Sequence, residues 1–349
     1  MSPETKKTRV LITGGTGFIG THLINELVRQ QKFGTMDVVD NLSSSSIPER
    51  RLNFFKKHNI NFIEADVESF NPGPEQKYDQ IYHLASPVGP AGVLKYAGRM
   101  GAVILNDAVK MGDLALRDNA QLLVVSTSEV YGKHPEGGFG QKEDIPKVVP
   151  ANITVRLEYG VGKLMTEIAL LNLAKVRPLH VNFVRPFNII GPYQNGESGF
   201  VVPRFVDEAL KNEPITVFGD GSQKRTFTHV QDIVDAFIMI MNSGVDGRIY
   251  NVGNPANIAS IKAMAEKIVA LCESKSEIKY MDPKTIYGPL YEEAWNKIPD
   301  IERISSEVGW EPHWALDDIV REYIVFAKGG FDVLDPDLTK TSHEMSSAG

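Results

Sequence analysis

The segment Thr13-Gly14-Gly15-Thr16-Gly17-Phe18-Ile19-Gly20 constrains this chain more than any other. It follows a short apolar run, Thr8 to Thr13. It opens an amphipathic stretch, Phe18 to Gln30, with Ile19, Leu23 and Leu27 on one face. The glycines therefore sit where a strand turns into a helix. Gly14 permits the tight turn, Gly17 lets the backbone approach a pyrophosphate, and Gly20 lets the helix pack on the sheet. The helix start then offers unpaired N–H groups and a positive dipole end to phosphates.

Asp40 ends the next strand-like run, Met36 to Asp40. A carboxylate there accepts hydrogen bonds from both ribose hydroxyls and repels a 2′-phosphate, which favours NAD over NADP. Asp66 closes a third run, where an adenine edge would lie, although turn formation or helix capping accounts for such a residue as well.

The alternation continues. Asn61 to Glu64, Gln80 to Leu84 and Gln121 to Ser126 read as strands, with a helix at about 99–117 and a longer one at about 156–176. Leu179 to Val184 is a sixth strand. This is the rhythm of an α/β fold, a doubly wound parallel sheet covered on both faces. After Gly191 the rhythm breaks. Helices are expected at 202–211, 230–242 and 259–273, and short strands at Ile215–Phe218 and Arg248–Val252. The second half reads as a smaller lobe interleaved with the sheet, followed by a polar, mobile tail from 333.

Composition excludes several classes. With 37 basic and 44 acidic side chains the net charge is -7, which argues against a nucleic-acid binder held by bulk positive charge. The single cysteine, Cys272, rules out a disulfide framework and a cysteine-based zinc site and reads as a core residue. The eight histidines show no metal-ligand spacing, and no metal is expected. No apolar run approaches the roughly 20 residues that cross a membrane. The N-terminus carries no signal-peptide core, so a cytoplasmic protein is expected.

Tyr159 and Lys163 form Y-x-x-x-K on the long helix, a spacing that puts both on one face. A phenol is a poor base at neutral pH, and a nearby ammonium lowers its pKa. Ser126-Thr127-Ser128-Glu129-Val130-Tyr131-Gly132 ends the fifth strand. Ligands of such sheets bind beyond the carboxyl ends of the strands, so Thr127, Ser128 and Glu129 are expected to face the same crevice as Tyr159.

With these motifs in order, together with H-L-A at His83 to Ala85 and R-P-F-N-x-x-G-P at Arg185 to Pro192, the chain resembles an extended short-chain dehydrogenase/reductase. The group is that of the nucleotide-sugar epimerases, dehydratases and decarboxylases, and the match covers about 8–330. The resemblance implies a Rossmann domain at 1–185, with 225–255 returning to it. It implies a nucleotide-sugar lobe at 186–224 and 256–332, and a homodimer joined through a four-helix bundle of the two long helices. It implies NAD held by Gly14, Gly17, Phe18, Ile19, Asp40, Asn41, Asp66, Val67, Leu84 and Ala85, with Tyr159 and Lys163 at the reactive end.

Within the group, S-T-S-E-V-Y-G and Arg156 are similar to UDP-glucuronate decarboxylases and to GDP-mannose dehydratases. The C-terminal motifs, Gln223 to Thr228, Asn251 to Pro255, Tyr287-Gly288 and Pro299-Asp300-Ile301, are similar to the decarboxylases and the UDP-apiose/UDP-xylose synthases. That similarity implies that Arg156, Arg185, Asn188, Val217, Phe218, Arg225, Tyr287 and Lys297 hold a nucleoside diphosphate sugar, a UDP-sugar by the resemblance to those enzymes. It also implies that Thr127, Ser128, Glu129, Tyr159, Lys163 and Arg225 act in the reaction. Lys297 stands where those enzymes usually have Arg, replacing a planar grip by a point charge. The Val88 to Lys95 stretch also departs from the usual decarboxylase sequence.

The implied reaction oxidises C4 of UDP-glucuronate, with Tyr159 taking the hydroxyl proton. The carboxylate β to the new ketone then leaves as CO2, and the ketone is re-reduced to a UDP-pentose. If Glu129 instead removes a C5 proton, the same set becomes a 4,6-dehydratase, and a 4-epimerase is a further alternative. A non-catalytic NAD-sensing protein is the alternative of a different class. Individual residues have plain readings too. Glu129 can pair structurally with a neighbouring base, and Arg225 with Asp220 or Asp232. Asn188 can order its loop, Phe218 can be core, His83 reads as a packed strand residue, and Asp317-Asp318 as a solvated helix start.

Overall fold

A computed structural model describes residues 8–31, 33–132, 140–149, 151, 153–194, 196, 199–282, 284–287, 296–331 and 333. The elements run β1 (Thr8–Thr13), α1 (Phe18–Gln30), β2 (Phe33–Asp40), α2 (Glu49–Lys57), β3 (Ile60–Glu64), β4 (Gln80–His83), α3 (Gly89–Lys95), α4 (Met100–Asp118) and β5 (Gln121–Val125). They continue through α5 (Val155–Val176), β6 (His180–Pro186), β7 (Ile189–Ile190), α6 (Val201–Leu210), β8 (Ile215–Phe218), β9 (Lys224–Thr226), β10 (Thr228–His229), α7 (Val230–Asn242) and β11 (Ile249–Val252). The last are β12 (Ile258–Ser260), α8 (Ile261–Leu271), β13 (Ile278–Met281), α9 (Lys284–Tyr287), α10 (Glu302–Val308) and α11 (Leu316–Ala327).

Seven strands form one sheet in the order β11-β6-β5-β4-β1-β2-β3, and each neighbouring pair is parallel. Its central strands are apolar on both faces because helices cover both. One face packs Val10, Ile12 and Tyr82 against α1 and α7. The other packs Leu11, Ile81 and Leu122 against α4 and α5. A separate cluster, with Val202, Phe205, Ile261, Met264 and Ile319, joins α6, α8 and α11 around β8. β11 follows parts of that cluster in sequence yet pairs with β6 in the large sheet, which is how the two halves interleave.

The expected strands and the helices at 18–30 and 230–242 lie where the periodicity puts them. The helix expected at 259–273 starts at Ile261, because the Ser260 hydroxyl accepts from the Ala263 amide and caps it. α2 and α3 are absent from the sequence reading. α2 opens Glu49-Arg50-Arg51, so its buried face (Arg51, Phe54, Phe55) begins with a charge; α3 opens Gly89-Pro90, which reads as a turn. Cys272 is half-buried against the smaller cluster. Among the described residues, no helix is long and apolar enough to cross a membrane, and no group of His, Cys, Asp and Glu could hold a metal. The tail beyond 333 lies outside the described residues.

Candidate active site

The glycine loop and the carboxyl ends of β2 to β5 lie at one edge of the parallel sheet, with the start of α5 beside the end of β5, and this is the edge at which such sheets bind ligands in a cleft. Gly14 has φ +72°, and a Cβ there would stand 2.7 Å from the Ala85 amide nitrogen. Only glycine lets the β1 and β4 loops close this far. The Leu84 amide donates to the Thr13 carbonyl, and the Ala85 amide to the Thr13 hydroxyl. Phe18 and Ile19 open α1 above this floor, whose N-cap is Gly17. No side chain among the described residues caps that helix, and no acidic residue sits in its first turn. Its leading N–H groups are thus left for an anionic ligand.

The Asp40 carboxylate accepts from the amides of Thr16 at 3.0 Å and Leu42 at 3.0 Å, which fixes it at the edge of the cleft. The Asn41 side-chain amide donates to Asp66 at 2.6 Å, joining the ends of β2 and β3. Val67 packs its side chain into the core and offers the cleft only backbone. These residues fit a dinucleotide whose pyrophosphate lies over the glycine loop and whose ribose faces Asp40.

At the other end, Thr127 begins a single 3₁₀ turn, Ser128–Tyr131, and its hydroxyl accepts from the Glu129 amide. Gly160 lets this turn approach α5, since a Cβ there would stand 3.0 Å from the Glu129 carbonyl oxygen. Thr127 and Ser128 are buried. Burial pushes the half-buried Tyr159 phenol up to about 12, with the Thr127 hydroxyl beside it acting in the opposite direction. Lys163 departs from expectation. Its ammonium donates to the Val125 carbonyl at 2.7 Å, and burial brings its own pKa down to about 8. Lys163 braces α5 against the end of β5.

Glu129 is the electrostatic centre of the cleft. The Arg156 guanidinium grips it at 2.7 and 2.6 Å, and Lys297 is ion-paired to the same carboxylate. Burial alone would raise the Glu129 pKa, but the two cations hold it well below the usual carboxylate range. Burial lowers Lys297 to about 8 against the pull of Glu129. Arg225 is buried beside it, and the two backbones pair in a parallel bridge. Glu129, Arg156, Lys297 and Arg225 are thus gathered from four distant segments.

Four expected substrate residues make other contacts inside the fold. Arg185 is fully buried. Its guanidinium donates to Glu167 at 2.9 and 2.6 Å, to the Tyr131 hydroxyl at 2.9 Å and to the Glu143 carbonyl at 3.2 Å. Four of its five donors are spent below the cleft, so it is not a diphosphate clamp. Val217 is wholly enclosed in the smaller core. Phe218 is buried, with the Arg204 guanidinium 4.6 Å above its ring. Asn188 donates to the Thr226 carbonyl at 2.8 Å, which is the loop-ordering role. The Tyr287 side chain lies outside the described residues, as does Gly288. Asp220 accepts from Ser222, and Asp232 from the amides of His313 and Trp314. His83 is a buried strand residue hydrogen-bonded to Thr13 at 2.8 Å, and Asp317 and Asp318 lie in the first turn of α11.

Residues 10–253 match the model of the NAD dependent epimerase/dehydratase family. The chain belongs to that family. Family members similar to it include the UDP-N-acetyl-alpha-D-glucosaminuronate decarboxylase of Bacillus cytotoxicus, 32% identical over 91% of this chain and 97% of that protein. UDP-glucuronic acid decarboxylase 1 of Xenopus tropicalis is 34% identical over 90% of this chain and 71% of that protein. Among solved structures, a UDP-N-acetylglucosamine 4-epimerase from Methanobrevibacter ruminantium in complex with UDP-N-acetylmuramic acid superposes with a TM-score of 0.81 at 25% identity, covering 94% of this chain and all of that one. A UDP-glucuronic acid 4-epimerase from Bacillus cereus shares the fold, with a TM-score of 0.79 at 21% identity over 93% of this chain and 100% of that one.

The sequence reading missed two site neighbours. Glu167 continues the i, i+4 row of Tyr159 and Lys163, a spacing that was visible, and it holds Ser126 at 2.5 Å as well as Arg185. Glu158 accepts from the amides of Gly98 and Gly101 and so caps α4 from α5. That contact joins residues about 60 apart and has no local signature.

Proposed function

We propose that the chain is a UDP-glucuronate decarboxylase. The observation that carries this reading is the cage around Glu129. A 4,6-dehydratase needs a carboxylate that takes a proton from C5. A carboxylate gripped by Arg156 and paired with Lys297 is held ionised and is a weak base. Loss of CO2 from a carboxylate β to a ketone needs no base, only stabilisation of the enolate. The decarboxylases among the similar family members support the same choice.

NAD, held by the glycine loop and Asp40, would supply the acceptor and later the donor of the C4 hydride, and its charged ring would favour the phenolate of Tyr159. Tyr159 takes the proton of the C4 hydroxyl and gives it back at the end. Thr127 orients the same oxygen. The C5–C6 bond then breaks, its electron pair enters the C4 carbonyl as an enolate, and C5 takes a proton. Glu129, fixed by its two cations, and the buried Ser128 orient the sugar, while Arg225 and Lys297 supply positive charge to its anionic groups. In this reading the sheet, with its return through β11, holds the cofactor, and the lobe of 186–224 and 256–332 holds the nucleotide.

The reading includes a homodimer. Val161, Met165 and Ile168 make an apolar stripe along α5 that is 41–46% exposed, a face that a second copy would cover. Met165→Lys should convert a dimer to a monomer in light scattering, and a wild-type monomer sinks this part. A cytosolic enzyme remains part of the reading.

The activity is tested by incubating the protein with UDP-glucuronate and following products by proton NMR, with UDP-N-acetylglucosaminuronate alongside. A UDP-pentose or UDP-4-keto-pentose supports the proposal. UDP-galacturonate without decarboxylation shows a 4-epimerase, and turnover of the N-acetylated sugar alone reassigns the substrate.

A further inference from the structure

We infer that Arg51, backed by Tyr193, is the residue that retains the adenosine diphosphate end of the cofactor by locking the glycine loop. Arg51 is 5% exposed, on the inner face of α2. Its Nη1 donates to the Thr16 carbonyl at 2.6 Å, the residue between Gly15 and Gly17. Thr16 is held on its other sides by Asp40, through its amide, and by Ser45, whose hydroxyl lies 2.6 Å from its own. The loop that would carry the pyrophosphate is thus anchored to the β2–α2 segment, not only to β1 and α1.

The guanidinium sits 5.5 Å from the centre of the Tyr193 ring. Tyr193 has φ 67°, a conformation that a bulky residue adopts only when its surroundings impose it. Those surroundings are the His22 ring on α1 at 6.3 Å and the Phe326 ring on α11 at 5.1 Å. His22 in turn donates to the Pro192 carbonyl at 2.9 Å. The loop after β7 is therefore strapped to the helix that follows the glycine loop and presses an aromatic face onto Arg51. Burial lowers the Arg51 pKa, with Tyr193 and Asp40 opposing the shift. Among the described residues its Nε finds no acceptor. A buried cation this incompletely satisfied gains from an adjacent dianion, so cofactor binding and the clasp reinforce each other.

The inference rests on the NAD reading of the glycine loop and not on the sugar. Wild type, Arg51→Met and Tyr193→Leu are purified as full chains. Their NAD content is measured, and the cofactor-free proteins are titrated with ADP-ribose and separately with UDP. Arg51→Met should weaken ADP-ribose binding roughly 10- to 100-fold, the loss expected for one buried charge-assisted hydrogen bond. Tyr193→Leu should weaken it several-fold, and both should lose NAD during purification while UDP binding holds. Wild-type ADP-ribose affinity in Arg51→Met overturns the inference, as does an equal fall for both ligands, which marks a structural role. Failure of wild type to bind UDP contradicts the proposed function and leaves the ADP-ribose comparison intact.

Discussion

Two arginine–carboxylate pairs lie close together in this fold and share one geometry. Arg185 grips Glu167 at 2.9 and 2.6 Å, and Arg156 grips Glu129 at 2.7 and 2.6 Å. Their surroundings differ. The side chains of the first pair are each 2% exposed, whereas Arg156 and Glu129 are 32% and 21% exposed. The sealed pair also binds Ser126 and Tyr131, so its hydrogen-bonding capacity is used up inside the protein. The open pair faces the cleft and shares its carboxylate with Lys297. Bidentate geometry alone does not separate a structural arginine from one at a functional site; the remaining donors and the access to ligand do.

The largest expected effect concerns Tyr159. Tyr159→Phe should lower turnover by about a thousand-fold, within the range for losing a general acid–base group, with the melting transition unchanged. Unchanged turnover would remove the open region from the chemistry altogether. The pairs themselves come next. Arg185→Met leaves Glu167 buried and unpaired, and should cost roughly 3–5 kcal/mol in denaturant unfolding. Arg156→Met should cost about 1 kcal/mol or less, because its pair is partly solvated, yet it should depress decarboxylation. If Arg185→Met is stable and raises KM for the nucleotide sugar, the sealed pair is not structural and the comparison is reversed.

The smallest effect is a shift in pH dependence. Lys297, lowered to about 8 by burial, is cationic below that pH and neutral above it. Turnover should therefore decline on an alkaline limb near pH 8. Lys297→Arg keeps the charge at high pH and should move the limb upward. A limb that stays in place would be assigned to Lys163, which burial also brings to about 8.

The sheet was legible because its signals are local. The β1–α1 glycines, the period of α5 and the apolar runs each fall within a few residues. Tyr159, Thr127 and Glu129 were legible for the same reason, since they lie at strand ends and on a helix face. The role of Arg185 was not, because its partner Glu167 and the residues that roof it come together only in the folded chain. Lys297 was found through a resemblance, but its pairing with Glu129 joins positions far apart along the chain. Arg51 escaped notice because no apolar period marks α2, and its contact with Tyr193 joins residues far apart along the chain.

The central claim is that a caged, ionised Glu129 makes this cleft a decarboxylase and not a dehydratase. It is tested by supplying UDP-glucuronate labelled with carbon-13 at its carboxylate, with unlabelled UDP-glucose in a parallel reaction. The account predicts labelled CO2 and bicarbonate from the first and no 4-keto-6-deoxy sugar from the second. Release of no label, together with dehydration of UDP-glucose, would contradict it.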